Sequence, residues 1–261
     1  MIKLIVTDVD GTLVEDGFTN VDPRLFDTIL KLREKGIQFA VASGRPWASV
    51  EHAFEPVKRK IFYVANNGAY VGCCGRSLYV YSIEQELVHR IIKKVRRYPD
   101  LEVVYAGANG DYLESSNERL MNWLIESYKF NLTRVDDLLG LDEPCVKVSI
   151  YKSQGIEAAS RDIYEEFKDE LKMSCAGDMW MDCMAKGVNK GRAIRTIQES
   201  LHIKPEETMA FGDQLNDMEM LEQAYYSFAV ANARDEVRKA ARFQTDSNEN
   251  DGVLKILKHL L

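Results

Sequence analysis

A doubly wound, parallel α/β sheet carrying an inserted α+β domain is the fold that this chain's residue pattern predicts. Three observations lead there. Short apolar runs alternate with helical stretches at the N-terminus, as strand-helix-strand units require. Each run ends in a polar, turn-forming cluster. The alternation breaks off near residue 82, gives way to a mixed pattern over residues 83–186, and resumes over 187–261. A length of 261 residues suits one large domain or two modest ones. The expected organisation is therefore a discontinuous core, 1–82 with 187–261, interrupted by an inserted domain.

The elements follow in order. Leu4-Ile5-Val6 is a continuous apolar run that meets Thr7-Asp8, suiting a strand buried on both faces. Asp22-Pro23 is a helix start, with a cap followed by proline at the first helical position. Leu25, Ile29, Leu30 and Leu32 follow at helical spacing, and Gly36 ends the helix. Ile37 to Ala42 is the second strand, ending in Ser43-Gly44-Arg45-Pro46, and Ile61 to Ala65 the third, ending in Asn66-Asn67-Gly68. Tyr70-Val71 and Leu78 to Tyr81 form a small hairpin around Gly72 to Gly75. The insert reads as a helix over 84–97, several strands, a helix over 120–130, a strand over 146–151, one helix over 156–171, and strands near 173–175 and 180–184. A helix near Lys190, the strand Thr208 to Phe211 ending at Gly212-Asp213, and a last helix over 253–260 complete the core.

Composition narrows the function. Hydrophobic residues make up 46% and charged residues 29%, which excludes disordered and fibrous architectures. A net charge of -7 argues against a nucleic-acid surface, which needs cations to displace counterions. Five cysteines, odd in number and without a C-x-x-C pair, are expected to be reduced thiols of a cytoplasmic protein. Four scattered histidines argue against zinc. The apolar N-terminal run is too short for a membrane span and lacks a cleavage region, so no membrane partner is expected. A monomer or weak dimer is the expected state.

The chemistry lies in where polar groups fall. Asp8, Asp10, Ser43, Asn67 and Asp213 stand at or just after the C-terminal ends of four separate strands. That edge forms the binding crevice of open α/β sheets. Asp8 and Asp10, two apart on an extended segment, face the same side. A second acidic cluster, Gly212-Asp213-Gln214-Leu215-Asn216-Asp217, ends another strand. Carboxylates gathered in one crevice repel unless a cation lies between them. Oxygen ligands without His or Cys suit a hard ion, and Mg²⁺ fits best. Ser43 and Arg45 suit an anion such as phosphate. Lys190, at a helix start, opposes the helix dipole, a misfit that an anion would resolve. Taken singly, each has an ordinary explanation: a cap for Ser43, an ion pair for Arg45, a solvated side chain for Lys190.

Together the motifs Asp8-Val9-Asp10-Gly11-Thr12, Ala42-Ser43-Gly44-Arg45, Asn189-Lys190-Gly191 and Gly212 to Asp217 resemble, in order, those of the haloacid dehalogenase (HAD) superfamily. The chain is most similar to its Cof-type, sugar-phosphatase-like branch with a C2B cap. Asn67-Gly68-Ala69 and Ser247 to Val253 also look like that branch. The resemblance implies a HAD-like core over 1–82 and 187–261 and a cap over 83–186. It implies a cytoplasmic phosphatase of a small phosphorylated metabolite, with sugar phosphates first, acting through an aspartyl-phosphate. Asp8 would be the nucleophile and Asp10 the acid and base. Asp8, the Asp10 backbone carbonyl and Asp213 would hold Mg²⁺. Ser43 and Lys190 would bind phosphate, with Arg45, Asn67 and Asn216 as further contacts. Asp217, Thr12 and Gly212 would support these groups, and Asp182 and Trp180 are candidates for cap specificity. The chain departs from the family in carrying Asp182 where Glu is usual, and Ala229-Val230-Ala231-Asn232-Ala233 where Ala-Met-Gly-Asn-Ala is usual. A phosphomutase or phosphotransferase using the same nucleophile, or a non-enzymatic phospho-acceptor domain, are the alternatives.

Overall fold

The computed structural model describes residues 1–15 and 20–261. In chain order the elements begin with β1 (Leu4–Asp8), α1 (Pro23–Glu34), β2 (Gln38–Ala42), α2 (Trp47–Ala53), β3 (Phe62–Ala65), β4 (Tyr70–Cys73) and β5 (Arg76–Val80). The insert follows with α3 (Gln85–Val95), β6 (Glu102–Gly107), β7 (Asp111–Leu113), α4 (Glu118–Tyr128), β8 (Leu132–Arg134), β9 (Cys145–Tyr151), α5 (Ile156–Ala159), α6 (Arg161–Phe167), β10 (Leu171–Ala176) and β11 (Trp180–Ala185). The chain then runs through α7 (Lys190–Leu201), β12 (Thr208–Gly212), α8 (Met218–Glu222), β13 (Tyr226–Val230), α9 (Asp235–Ala240), β14 (Phe243–Thr245) and α10 (Gly252–Lys258). Two compact units result: Met1–Tyr79 with Asn189–Leu261, and Val80–Val188. No described helix is long and apolar enough to cross a membrane.

The first unit is built on an eight-stranded sheet, in the order β14-β13-β12-β1-β2-β3-β4-β5. Strands β1 to β3 and β12 to β14 pair in parallel, and β4 runs antiparallel to β3. β1 lies between β12 and β2 and is buried along its whole length, which is why it opens with the apolar run Leu4-Ile5-Val6. The chain leaves β1 toward β2 and later returns to β12 on β1's other side, so the order reverses at β1. That reversal opens a crevice at the C-terminal strand ends. Helix α1 begins where Asp22 accepts from the Arg24 amide (2.8 Å) and buries Leu25, Ile29 and Leu32.

The second unit has a six-stranded sheet, ordered β10-β11-β9-β6-β7-β8, antiparallel except where β8 joins β7. Side chains alternate across it. Val103, Tyr105, Val148 and Ile150 share a core with α3 and α6, while Val104 and Leu113 share a second core with α4. Trp180 belongs with this second group: it stacks with Trp123 (6.2 Å between centroids) and lies 4.8 Å from Tyr151. Asp182 accepts from Ser149 Oγ (2.6 Å) and Lys147 Nζ (3.1 Å). The single helix expected over 156–171 is instead two, α5 and α6, and the chain is already extended at Leu171. The break falls at Ser160, where ψ is 6° and the hydroxyl donates back to the Ile156 carbonyl (2.6 Å).

Candidate active site

β1 carries Asp8 to the C-terminal edge of the sheet, and α7 brings Lys190 to it from 182 positions away. Lys190 is the first residue of α7, whose N-cap Asn189 accepts from the Arg192 amide (2.7 Å). A solvated lysine would be ordinary there, but this one is 1% exposed. Its Nζ donates to Asp8 Oδ1 (2.5 Å) and Asp217 Oδ1 (2.7 Å). Burial works to lower its pKa, yet the Asp217 and Asp8 carboxylates outweigh burial and hold the ammonium above its usual range.

Asp217 is fully buried and uses both oxygens. Oδ1 meets Lys190, while Oδ2 accepts the backbone amides of Asp213 (2.9 Å) and Gln214 (3.0 Å). It thereby folds the turn after β12 onto itself and presents Asp213 toward β1. Gly212 is required for this, because a Cβ there would lie 2.6 Å from that of Asp217. Asp213 Oδ1 accepts from Thr12 Oγ1 (2.7 Å). Burial, with Asp217 adding to it against the Thr12 bond, pushes the Asp213 carboxyl up to about 6. Asp8 is driven well above the usual carboxylate range, first by burial and then by Asp217, with Lys190 pulling the other way. The carboxylates of Asp8, Asp213 and Asp217 all lie within 4.8 Å of one another.

Asp10 takes a different partner. Its carboxylate, 28% exposed, receives the Arg45 guanidinium as a two-pronged fork, Nε to Oδ2 at 2.8 Å and Nη2 to Oδ1. Ser43 is buried, and its Oγ accepts from the Arg45 amide (3.1 Å). Asn67 and Asn216 meet each other, Nδ2 of Asn216 donating to Oδ1 of Asn67 (2.9 Å). The structure thus gathers the residues expected at the strand ends, in sets: Asp8, Lys190, Asp217 and Asp213 with Thr12; Asp10 with Arg45 and Ser43; Asn67 with Asn216. Asp182 and Trp180 lie in the other unit, with the partners already described.

The model of the haloacid dehalogenase-like hydrolases matches residues 5–257. The chain belongs to that family. It is 30% identical to the 5-amino-6-(5-phospho-D-ribitylamino)uracil phosphatase YbjI of Escherichia coli, covering 99% of this chain and 97% of that protein. It is 28% identical to the Bacillus subtilis phosphatase YitU, named for the same substrate, over 98% and 96% of the two chains. A solved structure from Eubacterium rectale superposes with a TM-score of 0.93 at 34% identity, covering 100% and 99% of the chains. This haloacid dehalogenase-like hydrolase is accordingly a phosphoric monoester hydrolase.

Two residues of this hydrolase's crevice carried no role in the sequence reading. Asn232 Nδ2 donates to the Gly11 carbonyl (2.7 Å), and Asn248 Nδ2 to the Val14 carbonyl (3.3 Å). The Asn248 amide in turn donates to Asn232 Oδ1 (3.1 Å), so the pair braces the loop that leaves Asp10. Both lie in segments that resembled the family, Ala229 to Ala233 and Ser247 to Val253. The departure from the family's usual residues there leaves Asn232 in place, and that signal could have marked it.

Gly11 has φ +79°, and a Cβ on it would sit 2.3 Å from Asp213 Oδ2. Gly11→Ala must therefore displace the Asp213 carboxylate or the loop. The expected result is a fall in kcat of about 10²-fold, the scale set by misplacing one group at a reacting centre. Steady-state phosphate release checks it, and an unchanged kcat would mean that the close approach is immaterial.

Proposed function

We propose that this hydrolase is a Mg²⁺-dependent, cytoplasmic phosphatase of a small phosphorylated metabolite, a sugar or sugar-alcohol phosphate, working through an aspartyl-phosphate on Asp8. The observation that carries the reading is the buried Lys190 ammonium bound to Asp8 and Asp217 beside the carboxylate of Asp213.

A cation fits this donor set. Three buried carboxylates face one ammonium, all donors are oxygens, and burial pushes Asp8 and Asp213 up as an uncompensated charge would. Asp217 is the poorest ligand of the three, since both its oxygens are occupied. Asp8, Asp213 and the Asp10 backbone carbonyl would hold the ion, with the Asp10 carboxylate left to Arg45. When bound, Mg²⁺ supplies positive charge against the carboxylates and the phosphoryl oxygens.

The protein groups act as follows. Asp8 attacks phosphorus in line, and Asp10 gives a proton to the departing alkoxide oxygen. Asp10, now ionised, takes a proton from the water that hydrolyses the aspartyl-phosphate. Lys190 and Ser43 bind the phosphoryl oxygens, and the ammonium offsets charge that grows on them. Arg45 holds the Asp10 carboxylate in position through its two-pronged contact. Asn67 and Asn216 line the phosphate side. The ribityl phosphate in the names of two relatives supports a polyol-phosphate substrate.

The test is a hydrolysis screen over sugar phosphates, nucleotides, cofactor phosphates and 5-amino-6-(5-phospho-D-ribitylamino)uracil, with and without Mg²⁺. Metal-dependent phosphate release is expected. Asp10→Asn should keep substrate binding and lose kcat by about 10²- to 10⁴-fold, the usual worth of acid-base catalysis. An unchanged rate would remove Asp10 from that role. Transfer to an added alcohol in place of release would make the enzyme a phosphotransferase.

A further inference from the structure

The hairpin β4–β5 turns through Cys74 and Gly75, whose φ values are 57° and 73°. Left-handed φ at both turn residues marks a type I′ hairpin, a turn that favours Asn, Asp or Gly at its first position. Cysteine has no conformational advantage there. Cys74 is exposed, so core packing does not account for it. Its sulfur lies 3.2 Å from that of Cys73, the last residue of β4, and 3.2 Å from the Arg59 carbonyl. The turn thus sets the exposed thiol of Cys74 beside the half-buried thiol of Cys73, both free.

The other three cysteines differ. Cys145 and Cys183 are wholly buried in the second unit, and Cys175 is exposed on β10, where its neighbour across the sheet is Met181.

Two features decide what this pair can bind. Adjacent α-carbons across a trans peptide are about 3.8 Å apart, closer than the roughly 4.4–6.8 Å of ordinary disulfides, so oxidation to a disulfide would be strained. Burial, reinforced by the Cys74 thiol, pushes the Cys73 thiol up to about 12. A ligand that demands preformed thiolates is therefore disfavoured. An electrophile that carries its own oxygen is not, because it takes the thiol protons away as water.

We propose that Cys73 and Cys74 form a dithiol site for trivalent arsenicals, one arsenic bridging both sulfurs. For a monosubstituted arsenoxide, R–As=O with two thiols gives R–As(SCys73)(SCys74) and one water. Two As–S bonds form, the As=O bond breaks, both S–H protons leave with the oxygen, and no atom changes oxidation state. Once the first sulfur is attached, the second bond closes within the chain and gains from effective concentration.

Phenylarsine oxide is the probe, with intact-mass spectrometry of the full chain as the readout. One adduct per chain is expected, stable to 2-mercaptoethanol and removed by 2,3-dimercaptopropanol. Cys73→Ser and Cys74→Ser should each weaken binding by at least about 100-fold, since either leaves a single thiol. Cys175→Ser should leave it unchanged, and phosphate release should be unaffected in all three variants without arsenical. The proposal is overturned if the native chain takes up no adduct, if both hairpin variants retain it, or if the adduct is lost with Cys175→Ser.

Discussion

Asp8→Asn is expected to abolish phosphate release, by at least about 10⁴-fold, the scale of removing a nucleophile from a working constellation. The amide has nearly the carboxylate's shape but cannot attack phosphorus, so no covalent phosphoenzyme should form either. The protein should remain folded. Asp8 is buried beside Asp217 and Asp213, and the net effect of its surroundings raises its pKa, so its ionised form burdens the folded state. A carboxyl raised in this way makes stability fall as pH rises. The neutral amide removes that term, and the metal-free variant should melt at or above the wild-type temperature near pH 8. Loss of activity with retained Tm separates a missing nucleophile from a collapsed site. Wild-type turnover in the variant would refute the aspartyl-phosphate mechanism.

Lys190→Met should act on stability and turnover together. Methionine matches the length of the stem but leaves Asp8 and Asp217 facing each other without the ammonium that binds both. Removing one partner of a buried ion pair costs about 3–5 kcal/mol. The loss should depend on pH with a definite sign. Without Lys190, which lowers both, the raised carboxyls of Asp8 and Asp213 bind protons still more tightly, so the variant should regain stability as the pH is lowered from 8 toward 5. The wild type should change less over that interval. Thermal unfolding at the two pH values measures this, and a loss below about 1 kcal/mol without pH dependence would contradict the buried pairing. Turnover should fall by about 10²- to 10³-fold, the scale of losing one preorganised charge contact at the reacting centre.

The parts of this molecule legible in the sequence are those whose cause is local. β1 reads as a strand because a position between two parallel neighbours buries every residue, and Leu4 to Val6 are apolar until Thr7-Asp8. α1 announces itself through Asp22 and Pro23, which act on their own helix end. Ser160 gave no such warning, since a serine that bonds back to Ile156 looks like any other serine in a helical stretch. The strand ends told which residues share an edge, but not how they sort among themselves. Lys190 reaches Asp8 across 182 positions, and Arg45 joins Asp10 across 35. Helix position alone leaves Lys190 in solvent, and only the ordered set of motifs pointed it inward. Asn232 reaches Gly11 across 221 positions, a partnership with no local signature at either end.

The two occupied oxygens of Asp217 have a consequence for descent. The Lys190–Asp217 contact ties α7 to the turn after β12, so losing either residue is expected to weaken the fold, whether or not the chain hydrolyses anything. Asp8 carries the opposite burden, since its charge is a cost to the fold and, under the proposed mechanism, serves only chemistry. A duplicated copy released from selection for activity should therefore shed the aspartate of β1 early and retain the lysine of α7 long after it has become silent.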